Sequence, residues 1–289
     1  MDDQGLATVS VDVDPVDVHL EGYGHRRVAP DRLVWRAAVP RIVEVCARVG
    51  LRATFFVVGR DAAPEAAALR DLVAAGHEVA SHSMTHPMPF LALGAERIAR
   101  EVEESRRALE AAAGVEVRGF RAPHWDADER LLAPLARAGY RYDASLLPTL
   151  WLPAARLALA ARGTRATLRL RRTPFTLARA PFTWGGRLRE FPVSVAGRLR
   201  LPLYHTARWF TDERRFAARL DACARRGEPL SYALHAVDAL GLREDGVDPR
   251  LARHPGMDRP LAEKLAVLES SLRAVAARFR ALPFGERLP

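Results

Sequence analysis

Two aspartates one residue apart, Asp12 and Asp14, close the apolar run Leu6–Val13. In an extended strand a period of two puts both carboxylates on one face. There they repel unless a metal or a proton lies between them. Asp14-Pro15 also reads as a turn, so the pair alone leaves site and turn open. Histidines recur at His82 and His86 in Ser81-His-Ser-Met-Thr-His-Pro87. A spacing of four places both imidazoles on one face of a helical turn, a common metal-pair geometry. Two histidines and one carboxylate hold a divalent ion facially and leave positions open. His77 begins the preceding run at its far end and reads as structural. In Gly119-Phe-Arg-Ala-Pro-His-Trp125, Arg121 suits a bidentate pair with a carboxylate, Pro123 stiffens the loop and Trp125 suits a pocket wall. A surface arginine and a core tryptophan account for them equally well without context. His235 ends the apolar run Ser231-Tyr-Ala-Leu-His235. Alone it reads as structural, and facing a metal it reads as a general acid.

These residues need strand ends to hold them, and the sequence supplies a run of strands. Short apolar runs at 6–13, 53–58, 77–80, 115–120 and 140–142 alternate with amphipathic helical patterns at 31–49, 65–75, 95–113 and 128–138. Gly50, Gly76, Gly114 and Gly139 stop those helices. Short connections between such elements predict a parallel sheet with crossover helices. In that architecture, sites form at the carboxyl ends of strands. The pattern changes near residue 145. The stretch 150–175 carries Trp151, Leu152, Leu157 and Leu159 beside Arg156, Arg162, Arg165, Arg169, Arg171 and Arg172, with no acid. It reads either as a basic amphipathic element on an anionic membrane surface or as a helix capping the sheet. Strand patterns return at 188–195 and 230–234, and 259–280 reads as a final amphipathic helix.

The chain has 289 residues, 49% apolar and 27% charged, which is ordinary globular composition and excludes disorder as the main state. Cys46 and Cys223 are the only cysteines, too few for a disulfide scaffold. No run is long enough for a membrane helix. The acidic start Met1-Asp2-Asp3-Gln4 lacks the pattern of a secretory leader. The expectation is a cytoplasmic protein, peripheral at the inner membrane surface if the 150–175 segment touches lipid. The net charge of +9 comes almost wholly from arginine, since Lys264 is the sole lysine. That charge fits a solvated basic surface or an anionic partner. No phosphate loop, zinc finger or aromatic-basic motif supports nucleic acid.

Taken together and in this order, Ala53-Thr-Phe-Phe-Val-Val-Gly59, His82-Ser-Met-Thr-His86, Arg121-Ala-Pro123 and Leu234-His235 resemble the polysaccharide deacetylases of the NodB-homology type, carbohydrate esterase family four. The resemblance covers about residues 6–240. It implies an α/β fold, a distorted and partly open (β/α) barrel, within a single catalytic domain over 1–289. The basic insertion would span about 146–186 and a C-terminal helical extension about 241–289. It implies a metal-dependent hydrolase that removes an acetyl or formyl group from an acylated sugar. By position Asp12 would be the base and Asp14, with His82 and His86, a metal ligand. Arg121 would hold the base, His235 would be the acid, and Pro123, His124 and Trp125 would face substrate. The family usually has adjacent aspartates in its first motif. Val13 separates them here, a spacing similar to the lipid-linked aminoarabinose deformylase branch, which points to a lipid-linked or polysaccharide-precursor sugar. The fourth motif is loose around Tyr142-Asp143, so Asp143 and Asp238 are alternative supports for the acid.

The implied mechanism uses one divalent ion, zinc first and iron, cobalt, nickel or manganese as alternatives. The ion polarises the acyl carbonyl and acidifies a water. Asp12 takes the water's proton, and His235 protonates the departing amine. Three other readings compete. An allantoinase-like amidohydrolase acting on a small amide or cyclic imide would favour glutamate where this chain has Asp14. An iron oxygenase would usually be β-rich. A basic membrane- or nucleic-acid-binding module would need no catalytic cluster.

Overall fold

The computed structural model describes residues 5–26, 28–150, 178–186 and 188–289. The strands are β1 (Gly5–Val13), β2 (Thr54–Val57), β3 (Glu78–Ser81), β4 (Gly119–Phe120), β5 (Tyr142–Asp143), β6 (Phe182–Trp184), β7 (Leu188–Glu190), β8 (Val195–Ala196), β9 (Leu201–Pro202), β10 (Leu230–His235) and β11 (Phe279–Ala281). The α-helices are α1 (Val16–Gly22), α2 (Val39–Val49), α3 (Ala66–Ala74), α4 (Ala95–Ala113), α5 (Leu132–Ala138), α6 (Glu213–Arg225) and α7 (Leu261–Ala276).

The main sheet runs β10-β1-β2-β3-β4-β5-β7-β6, with β11 paired to the start of β1. Its pairs are parallel except β6 with β7. The sheet curls into a half-barrel with helices outside. Its two ends approach at Ser194, whose N–H donates to the Ser231 carbonyl at 3.0 Å and whose hydroxyl accepts from the Ser231 N–H at 2.9 Å. From Ala7 to Val13 every residue of β1 is buried, as expected of a parallel strand covered on both faces. Alternate side chains fill the barrel interior, where Phe56, Ala80, Tyr142 and Phe191 pack on Phe284 from the chain's last turn. The apolar faces of α2, α4 and α7 form the outer core.

Several elements depart from the sequence expectations for local reasons. The 31–49 helix is interrupted: Val34–Ala38 is a π-helical turn before α2. Pro40 has no N–H to continue an α ladder back to residue 36. Of the 115–120 strand only Gly119–Phe120 pairs. The Val117 backbone is taken instead by the side chains of α4, its N–H by Glu110 at 3.1 Å and its carbonyl by Arg106 at 3.0 Å. The 188–195 run splits into β7 and β8 around Pro192, which cannot donate to a ladder. The 259–280 helix ends at Ala276, and Phe279 pairs with Gly5 in a strand. In the 128–138 helix, residues 129–131 form a 3-10 turn ahead of α5. The expected helix 95–113 is α4, closed by Gly114 at φ 74°.

The basic stretch with Trp151 and Arg156 to Arg172 lies outside the described residues. Among the described residues no helix is long and apolar enough to cross a membrane.

Candidate metal centre and active site

The register of the sheet brings the chemistry together. Asp12 on β1 stands directly opposite His235 on β10, and opposite Phe56 on β2. Ser81 on β3 stands opposite Phe120 on β4, so His82 and Arg121 leave adjacent strand ends side by side. His82 Nδ1 lies 2.7 Å from the Arg121 carbonyl. That bond fixes the ring and turns Nε2 toward the site.

Asp14, His82 and His86 are all buried, and one ligand atom from each lies within 4.8 Å of the others. Asp14 Oδ1 is 3.3 Å from His82 Nε2 and 3.5 Å from His86 Nε2. Asp14 Oδ1 and both nitrogens of His86 are buried without a hydrogen-bond partner. Buried polar atoms are rarely left so, and an acidic oxygen facing two imidazole nitrogens suits a divalent ion. The residues present therefore fit the implied metal. Burial pushes the Asp14 carboxyl up, yet His86 and His82 outweigh it and hold it well below the usual carboxylate range. Burial lowers His82, but Asp14 reverses the sign and leaves it raised, while burial keeps His86 well below its ordinary value.

The spacing expectation for the two histidines requires a correction. Residues 82–86 are not helical, and Ser83 and His86 adopt φ of 63° and 52°. The imidazoles converge through a left-handed loop, not through helical periodicity. Three sets of bonds hold that loop. Glu101 on α4 accepts from Thr85 N at 2.8 Å and from its hydroxyl at 2.6 Å. The N–H groups of Gly59 and Arg60 donate to Ser83 and Met84 carbonyls at 2.9 and 2.8 Å. The His86 N–H bonds Ser83 Oγ at 3.1 Å.

Arg121 is fully buried and pairs with Asp12 Oδ1. Its other donors meet the Ala144 carbonyl at 2.9 Å and Ser10 Oγ at 3.0 Å, and its guanidinium stacks 4.0 Å above the Phe56 ring. A buried guanidinium so satisfied holds one carboxylate oxygen in place. The other oxygen of Asp12 is 3.9 Å from His235 Nε2. Gly119 makes room beneath, since a Cβ there would sit 1.8 Å from Tyr142 Cζ.

A cavity of about 260 Å³ opens over these groups, lined by Asp12, Asp14, His82 and His235 together with His124, Trp125 and others. Trp125 stands 5.5 Å from Tyr204 and 5.7 Å from His235, ring to ring. His124 and Trp125 both adopt left-handed φ, 55° and 50°, which turns their rings into the cavity. Pro123 is buried and does not line it; it opens the turn that carries the two aromatic residues. Asp143 is a second correction. It bonds Ser145, whose hydroxyl accepts from Ala122 N at 2.8 Å, and it neighbours Glu190. It supports the loop after β4, not His235. Asp238 is the carboxylate beside His235, accepting from its backbone N–H at 3.0 Å. His77 is structural as expected, with Nδ1 accepting from Ala53 N at 3.1 Å.

Sequence reasoning missed His19, Tyr23, Tyr204, Thr206 and His254, which also line the cavity. His19 was within reach of inference: Asp14-Pro15 starts α1, and one helical turn beyond it brings His19 back over Asp14. Burial drives the His19 pKa down to about 3, against the pull of Asp14.

Residues 30–142 match the polysaccharide deacetylase family. That span contains His82, His86, Arg121 and Trp125; Asp12, Asp14 and His235 join them through the sheet. A chitooligosaccharide deacetylase of Sinorhizobium fredii is 40% identical over 101 residues, 35% of this chain and 46% of the relative. A peptidoglycan deacetylase of Helicobacter pylori is 27% identical over 147 residues, 49% of this chain and 50% of the relative. The chain thus spans about half the length of the curated relatives it matches. Among solved structures, a Mycobacterium smegmatis protein assigned to the polysaccharide deacetylases aligns with TM-score 0.62 at 19% identity, over 99% of this chain and 90% of that one. A PuuE allantoinase aligns with TM-score 0.60 at 15% identity, over 96% and 87%. These likenesses establish the fold as the half-barrel of that group.

Proposed function

We propose that the protein is a metal-dependent deacylase that removes an N-acyl group, acetyl first and formyl second, from an amino sugar. One observation carries the reading. Asp14 and His82 line one cavity with the opposed pair Asp12 and His235, His86 completes the buried triad beside it, and the carboxylate of that pair is locked by a buried arginine. A divalent ion held by the triad supplies Lewis acidity for the acyl carbonyl and a more acidic water. Asp12, fixed by Arg121, accepts the proton of the attacking water. His235, across the cavity, donates the proton that lets the amine leave. Trp125 and Tyr204 form an apolar wall suited to the acyl methyl or the sugar's C–H face.

The relatives' names support an acetylated amino sugar. The spaced Asp12 and Asp14 keep a lipid-linked, formylated sugar as the finer alternative, in which case the arginines of 150–175 would meet an anionic membrane. The discriminating experiment offers zinc-loaded protein an N-acetylated chitooligosaccharide, a formylated amino sugar and a cyclic imide, and follows released acid and amine. Release from an acyl sugar, with the imide untouched, is the expected result. Turnover of the imide alone would replace this reading with the amidohydrolase.

A further inference from the structure

The turn that follows His235 is gripped by the chain beyond residue 240. Residues 236–239 form a 3-10 turn whose Asp238 is buried and accepts from the His235 N–H at 3.0 Å. The other carboxylate oxygen of Asp238 lies 3.6 Å from His254 Nε2. His254 is buried, and its Nδ1 is 3.0 Å from the Tyr23 hydroxyl on the residue after α1. A tyrosine that donates to Nδ1 fixes the tautomer with the proton on Nε2, facing Asp238. From α7, the buried Lys264 donates to the carbonyls of Val237 and Leu240, on both sides of Asp238. Lys264 thus holds this four-residue turn by hydrogen bonds, His254 faces its carboxylate at a distance longer than a hydrogen bond, and that turn sets where His235 stands against Asp12.

We infer that His254 and Lys264 are positioning residues for the acid His235, acting through Asp238 and its turn. The inference rests on the deacylase reading above. A buried carboxylate stripped of one partner reorients or takes up a proton. Either change releases the His235 backbone, and the proton donor misses the departing nitrogen. The effect should therefore appear only where the leaving group needs a proton.

The test follows acetate release from an N-acetylated chitooligosaccharide and hydrolysis of 4-nitrophenyl acetate side by side. The first leaving group is an amine that must be protonated; the second departs as a stable phenolate. On metal-loaded His254→Leu, kcat for the amide should fall at least about 10-fold, toward the roughly 10²–10⁴-fold that acid–base catalysis contributes. Bound metal should be unchanged, and ester turnover should fall far less than amide turnover, since His254 also belongs to the cavity wall. His254→Gln, which keeps a polar N–H group facing Asp238, should recover most of the loss. Lys264→Met, which keeps the stem and removes the two carbonyl bonds, should show the same split, so the outcome does not hang on one variant's folding. Parallel loss on amide and ester, or full amide turnover in His254→Leu and Lys264→Met, overturns the inference and leaves the deacylase reading standing. A wild type that releases no acetate or formate from any acyl sugar overturns that reading, and the acid role with it.

Discussion

At the scale of single residues the site separates two jobs that carboxylates often share. Asp14 faces imidazoles and Asp12 faces a guanidinium, although only Val13 lies between them. Removing one group from each set should give opposite signatures. His86→Ala should be purified with well under one metal ion per chain. Asp12→Asn should keep its metal and lose turnover by roughly 10²–10⁴-fold, the range for a lost acid–base group. Metal analysis and turnover on the same preparations check this. Stoichiometric metal in His86→Ala, or metal loss confined to Asp12→Asn, would reverse the roles. Asp12 and Asp14 do line one cavity, but β1 ends at Val13, so Asp14 reaches it from just beyond the strand and not by strand alternation. Nor was the route by which His82 and His86 meet legible in the sequence, because left-handed turns at Ser83 and His86 follow from contacts with α4 and the 59–60 turn, not from spacing.

At the scale of elements, β5 and β7 meet through a buried acid pair. Burial raises Asp143 to about 6 even though a hydrogen bond from Glu190 pulls it down, and burial together with the Asp143 charge lifts Glu190 well above its usual range. A carboxyl whose folded pKa is raised contributes stability that is present below its unfolded pKa. That contribution is lost as pH climbs through the folded value. Between about pH 4 and 6 the pair should therefore cost the fold stability as pH rises. Asp143→Asn imitates the protonated acid, keeping an oxygen for Ser145 and a donor for Glu190. Its melting temperature relative to wild type should rise from pH 4 to pH 7, by the equivalent of up to about 3 kcal/mol. A difference that stays flat with pH would show that the pair carries no such strain. Helices were the most legible elements: α4 and its Gly114 stop follow from an unbroken amphipathic pattern. Strands shorter than three residues, such as β4 and β5, were not legible in extent, because pairing rather than pattern defines them.

For the whole molecule, the half-barrel was legible from β-α alternation and the motif order, and the contribution of the C-terminal part was not. Residues 241–289 carry no catalytic signature, yet Phe284 closes the barrel floor and His254 reaches the cavity. Such long-range roles have no local sequence signal, since they depend on which surfaces the closing chain meets. Binding of one ion and release of an acyl group from a sugar, both proposed for this site, can be read in one titration. Zinc is added stepwise to chelator-treated protein, and bound metal and acetate release from an N-acetylated chitooligosaccharide are measured in each sample. Release should rise in step with occupancy, saturate at one ion per chain, and be absent in His86→Ala at every zinc concentration. Full acetate release from the chelated protein, or saturation with one ion and no release of acyl group from any amino sugar, would contradict the proposal.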